Sequence, residues 1–212
     1  MGRAPISPSA IRRRGVDIGT APCLRPGITT TSSAAPRTTL TISEARQLAA
    51  TYAYDLGSWR TYSLDSERVG DQQLEWLQAD LAANARSCVL AYWHRPPFSS
   101  GEHGNQSDSL PLWETLNSAG AEVVVTGHDH NYERFAPMDA AGSATDEGLR
   151  EFVVGTGGTG LRDFWQPEPN SEVRWSGGYG VIKFELSDAG YAWEFVSVDG
   201  ESFSDAGSEA CH

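Results

Sequence analysis

Three cysteines in 212 residues, at 23, 88 and 211 and with no Cys-x-x-Cys spacing, rule out a structural zinc ribbon. No apolar run is long enough to span a bilayer, so no membrane partner is expected. No apolar stretch near Met1 could serve as a signal peptide, so the chain as written would stay in the cytoplasm, while its acidic, lysine-poor body would equally suit a secreted protein whose signal has been lost, and the location is left open. Histidine is sparse, five in all, and none precedes His94. Bases are also few after residue 50. Residues 51–212 hold nine against 26 acids, a net −17, which repels a polyanion and argues against nucleic acid as a partner. Residues 1–50 have the opposite sign, with seven Arg against Asp17 and Glu44, a net +5.

What is present divides near residue 45. Residues 1–43 are dense in Arg, Pro, Thr and Ser, with apolar residues at no period of 2 or 3.6. A disordered arm is expected over 1–45 and a folded domain over 46–212. Within the domain, residues 52–56 and 59–64 read as a hairpin about Gly57-Ser58. Residues 71–84 place Leu74, Leu77 and Leu81 on one helical stripe beside Trp76. Residues 151–154, 180–186 and 191–198 are β-rich, the last two joined by a turn at 187–190. The three cysteines carry less. Cys88 sits in an apolar run and Cys211 in the tail, so a Cys88 to Cys211 bridge is a reasonable expectation outside a reducing compartment.

Two strand ends carry the chemistry. Residues 87–93 form an apolar run that stops at His94-Arg95-Pro96-Pro97, where the prolines forbid further ladder pairing. The apolar run 123–125 is followed by Gly127-His128-Asp129-His130. Side chains at i and i+2 of a strand share a face, so His128 and His130 are expected to aim at one small volume, with Gly127 permitting the exit. A solvated turn is the competing reading of His-x-His alone. Residues 110–119 have helical spacing between the two runs, and such a crossover makes the strands parallel with like ends together. His94 then converges with His128 and His130 at the sheet edge where ligands bind in open α/β sheets.

The run Trp93-His94-Arg95-Pro96-Pro97-Phe98-Ser99-Ser100-Gly101, then Gly127-His128-Asp129-His130-Asn131-Tyr132-Glu133-Arg134, then Gly155-Thr156-Gly157-Gly158, resembles the C-terminal half of a calcineurin-like metallophosphoesterase. Its flavour is the purple acid phosphatase-like branch, and the match runs from about Tyr54 to the C-terminus. The resemblance implies an α/β fold, the C-terminal half of a two-sheet sandwich with flanking helices. It implies a dinuclear centre of divalent or trivalent ions (Fe, Zn or Mn) that hydrolyses phosphate esters. His94 and His128 would bind one metal and His130 the other. His103, nine positions after His94, would face the substrate as a phosphate contact or proton donor. Arg95 departs from a second histidine often found there and could contact a phosphate oxygen. Gly155 to Gly160 holds no lysine and is read as a glycine turn beside the crevice rather than a phosphate loop.

The resemblance also implies upstream motifs, Asp-x-His, Gly-Asp-x-x-Asp or -Tyr and Gly-Asn-His, that this chain does not contain. A hydrolytic metal needs about three protein ligands and an open position. The chain alone is therefore expected to bind metal weakly, and the alternative to a phosphatase is a non-catalytic remnant or metal-binding module needing a partner chain for the first half. One origin for residues 1–45 is a misread or shifted frame that replaced those motifs, which an intact Gly-Asn-His in another frame of the upstream DNA would support. A half-sandwich leaves open sheet edges, through which self-association is expected.

Overall fold

The computed structural model describes residues 51–86, 88–198 and 203–212. The expected arm at 1–45, with Cys23, lies outside the described residues. Within these residues ten strands and two α-helices follow in the order β1 (Tyr52–Leu56), β2 (Trp59–Ser63), α1 (Asp71–Ala83), β3 (Cys88–Tyr92), a 3-10 turn (Ser107–Ser109), α2 (Leu110–Ser118), β4 (Val123–Thr126), β5 (Tyr132–Phe135), β6 (Arg150–Val154), β7 (Ser171–Trp175), β8 (Gly180–Ser187), β9 (Gly190–Ser197) and β10 (Ala206–Ala210).

The strands form a seven-stranded mixed sheet, β1-β2-β3-β4-β6-β5-β7, and a three-stranded antiparallel sheet, β10-β9-β8. β2, β3, β4 and β6 are parallel, and antiparallel strands flank them. The hairpin expected at Gly57-Ser58 pairs Tyr52 with Ser63 through Leu56 with Trp59. Strand β3 shows why a parallel strand reads as an unbroken apolar run: both of its faces are covered. Val89 and Ala91 pack toward Leu77 of α1 and Leu112, Trp113 and Leu116 of α2. Cys88 and Leu90 pack toward Tyr191, Trp193 and Phe195 of the second sheet. Two cores result, one under the helices and one between the sheets.

Three strands were not expected. β5 lies inside the histidine motif, β7 is short and polar, and β10 (Ala-Gly-Ser-Glu-Ala) has little intrinsic β preference. β10 is held by tertiary partners. It pairs with β9, Arg150 binds Glu209, and Cys211 is joined to Cys88 across a Cα–Cα distance of 5.7 Å. Among the described residues no helix is long and apolar enough to cross a membrane.

Candidate functional site

The parallel pairing of β3 and β4 brings their exits together, and backbone bonds fasten the exits. Trp93 N–H donates to Val125 O at 3.1 Å and Gly127 N–H to His94 O at 3.0 Å. Ser66 Oγ accepts from the amides of His94 and Arg95 at 3.2 and 2.8 Å, fixing the backbone of the first histidine. His94 Nε2 and His128 Nδ1 lie 3.1 Å apart. The His103 ring stacks on His128 at 4.3 Å between centroids and stands 6.3 Å from His130. Four of the five histidines therefore share one crevice.

One detail differs from the sequence reading, because the chain leaves the strand at Thr126 and strand alternation stops there. The residue that takes the left-handed turn is His128 itself, at φ 64°, and not Gly127. A Cβ on Gly127 would meet only ordinary contacts, 3.8 Å from His94 Nδ1. A non-glycine residue held there costs about 1–2 kcal/mol, offset by the fastened exits on either side.

The His103 loop is held from beneath by three buried carboxylates. Asp129 accepts from Ser99 Oγ and from the His103 amide, the latter at 2.9 Å. Glu133 accepts from the Ser100 amide at 2.8 Å and from the hydroxyls of Ser100 and Ser171. Glu151 accepts from Thr126 Oγ1 at 3.0 Å and from the Phe98 amide at 3.3 Å. Burial pushes the Glu133 carboxyl up, although Ser100 and Ser171 oppose it. Burial pushes Glu151 well up, with the charge of Glu133 adding to it. None of the three was expected as part of the site, yet Glu151 inside an apolar strand was a legible signal, since a fully buried acid needs partners.

Gly101 and Gly155 are set by the same packing. A Cβ on Gly101 would come within 2.3 Å of Asp129 Cγ, and one on Gly155 within 1.8 Å of the Asp129 carbonyl oxygen. The glycine segment after β6 thus passes directly against the crevice. Its Gly160 carbonyl accepts from His130 Nδ1 at 2.8 Å, which leaves the Nε2 lone pair free to bind a metal. Arg95 is engaged elsewhere, with Nε and Nη2 on the two oxygens of Glu67, each at 2.9 Å. The His128 imidazole is pushed below its usual range by burial, then by the neighbouring His103 and His94.

Two nitrogens 3.1 Å apart match two imidazoles on one ion with bonds of about 2.0–2.1 Å. The fit ends there. Among the described residues no three His, Cys, Asp or Glu side chains are grouped so as to hold a metal ion. The nearby carboxylates are turned inward to the loop, and the residues present do not fit a complete dinuclear centre.

No family model matches the chain. Purple acid phosphatase 22 of Arabidopsis thaliana is 33% identical over 139 residues, 60% of this chain and 31% of its own length. Purple acid phosphatase 21 of the same plant is 31% identical over 163 residues, 71% of this chain and 36% of its own length. Among solved structures, the purple acid phosphatase PPD1 from yellow lupin (Lupinus luteus) shares the fold at a TM-score of 0.65 and 21% identity, over 76% of this chain and 32% of that one. With two sheets and histidines at the exits of two parallel strands, these matches assign the chain to the calcineurin-like metallophosphoesterase family. The chain spans between 12% and 36% of the length of the curated relatives it matches. Within the family it belongs to the purple acid phosphatase-like branch, of which it corresponds to a C-terminal portion.

Proposed function

We propose that this chain carries the histidine wall of a site that hydrolyses phosphate esters. His94 and His128 would grip one metal ion, His130 would reach a second, and His103 would face the substrate. The observation that carries the reading is the gathering of these four rings, above all the 3.1 Å approach of His94 to His128. The ions would supply charge stabilisation for the phosphoryl group. The chain's own residues do the positioning. The Gly160 carbonyl holds His130 Nδ1–H, and Asp129 holds the His103 backbone so that its ring can meet a leaving-group oxygen. Arg95, tied to Glu67, is the weaker candidate for a phosphate contact.

A second reading, a non-catalytic metal-binding module that needs a partner chain for the first half, is favoured by the lack of a three-ligand group among the described residues. Metal content and turnover of an aryl phosphate, compared among the chain, His128→Ala and His130→Ala, separate the two. Two metals per chain, with activity lost in both variants, support the hydrolase. Substoichiometric metal lost in His128→Ala, with no turnover in any of the three, supports the module.

A further inference from the structure

The free edge of the three-stranded sheet is self-complementary. β8 pairs only with β9 among the described residues, in a register that sets Gly180 opposite Ser197 and Phe184 opposite Trp193. Gly180 turns both backbone groups away from Ser197: its N–H donates to Thr156 O at 3.2 Å and its C=O accepts from Thr156 Oγ1 at 2.8 Å. Backbone groups alternate in direction along an antiparallel strand. The N–H and C=O of Ile182, Phe184 and Leu186 therefore point out along the open edge, where no described strand meets them. The side chains of these three residues face the inter-sheet core and are only half-buried, while Val181, Lys183 and Glu185 alternate with them on the exposed face.

We propose that two copies of this chain associate through β8, antiparallel about a two-fold axis at Phe184, joining two three-stranded sheets into one. That register sets Phe184 opposite Phe184, Ile182 opposite Leu186, and Lys183 opposite Glu185 of the second copy. The outward backbone groups of Ile182, Phe184 and Leu186 then satisfy one another. Lys183 and Glu185 fall at the closer, non-hydrogen-bonded positions, where opposite charges attract. Lys183 already binds Glu185 of its own strand at 2.7 Å, so both side chains lie together on the exposed face. A lone lysine on an edge strand discourages pairing. A lysine followed two residues later by a glutamate does the reverse in this register, because the pattern is its own complement, as an isologous interface requires. The net −17 of residues 51–212 opposes encounter of two copies at long range and is screened beyond about 8 Å at physiological ionic strength. This pairing does not depend on the phosphoesterase reading.

The test is the mass of the full chain by size exclusion with light scattering near physiological salt, for the unaltered protein, Lys183→Glu, Glu185→Lys and the double swap. The unaltered chain and the double swap are expected as dimers of twice 22.9 kDa. Each single swap makes both charge pairs repulsive and weakens association about ten- to thirtyfold. Lys183 is the only lysine of the chain, which gives a second readout on unaltered protein. A zero-length carbodiimide cross-link between isotope-labelled and unlabelled copies is expected at Lys183 to Glu185. A monomeric unaltered chain, single swaps that dimerise as well as the parent, assemblies larger than a dimer that ignore the swaps, or no mixed-isotope link at Lys183 would each overturn the pairing.

Discussion

The crevice end and the tail end of this domain both bury acids, and they neutralise them in opposite ways. Beneath the His103 loop, Glu133 and Glu151 are bonded by hydroxyls and backbone amides and by no guanidinium, and burial holds both carboxyls above their ordinary values although the charge of Arg174 opposes it at Glu133. At the tail, burial would also raise Asp205 and Glu209. There Arg134 with Tyr132, and Arg150 with Tyr191, hold them below the usual range instead. Glu122 makes the rule plain, because the His212 imidazole is not enough and its carboxyl stays raised by burial. The tail is a clamp built on permanent charge. The crevice is a loop held by groups whose charge is costly.

The clamp should break hardest. Replacing Cys88 and Cys211 together by alanine is expected to cost about 2–5 kcal/mol in denaturant unfolding, by releasing a closure of 123 residues. A midpoint unchanged from the parent would count against the bridge. Next comes Arg150→Ala, which leaves Glu209, Glu172 and the Phe135 carbonyl without their shared donor. Glu209 is a third exposed, so the loss is discounted to about 2–3 kcal/mol. Proteolysis appearing first on either side of β10 would mark the clamp as the part that opened.

On the crevice side, Asp129→Ala strips the acceptor from Ser99 Oγ and the His103 amide and is expected to cost about 1–2 kcal/mol. Hydrogen exchange at residues 99–103 should rise while the β9 and β10 amides stay protected. Equal loosening at both ends would show that the two regions are one cooperative unit. The smallest effect is Glu151→Gln. A folded-state value raised above the unfolded one gives stability that is present at low pH and lost as pH climbs through the folded value. The glutamine variant should therefore melt about 2–4 °C above the parent at pH 8 and lose that advantage below the ordinary glutamate range. The tail acids run the other way: their contribution is present above the ordinary carboxylate range and fades as pH falls through the lowered values. Acid should thus expose β10 before it loosens the His103 loop, and exchange measured across that range would show the order.

Legibility followed the range of the interactions. The β1–β2 hairpin, both helices, β3, β4, β6, β8 and β9 were readable because each is written in local periodicity and turn residues. The family was readable because its motifs are contiguous runs at strand ends. The left-handed turn fell on His128 and not on Gly127, since the fastened exits and not residue preference chose it. Strands β5, β7 and β10 escaped because two are polar and all three are held by pairing with other strands rather than by an apolar run of their own.

The sequence by itself pointed to two apolar strands joined by a helix and ending in histidines at one edge, because strands joined by a helical crossover run parallel and bring like ends together. Only the tertiary structure decided how those histidines are held. The partners of Asp129, Glu133 and Glu151 lie 25 to 53 residues away along the chain, and Arg134 and Arg150 reach 59 to 71 residues to the tail acids. Whether a buried acid is raised or lowered depends on which group arrives beside it, and folding alone brings that group there.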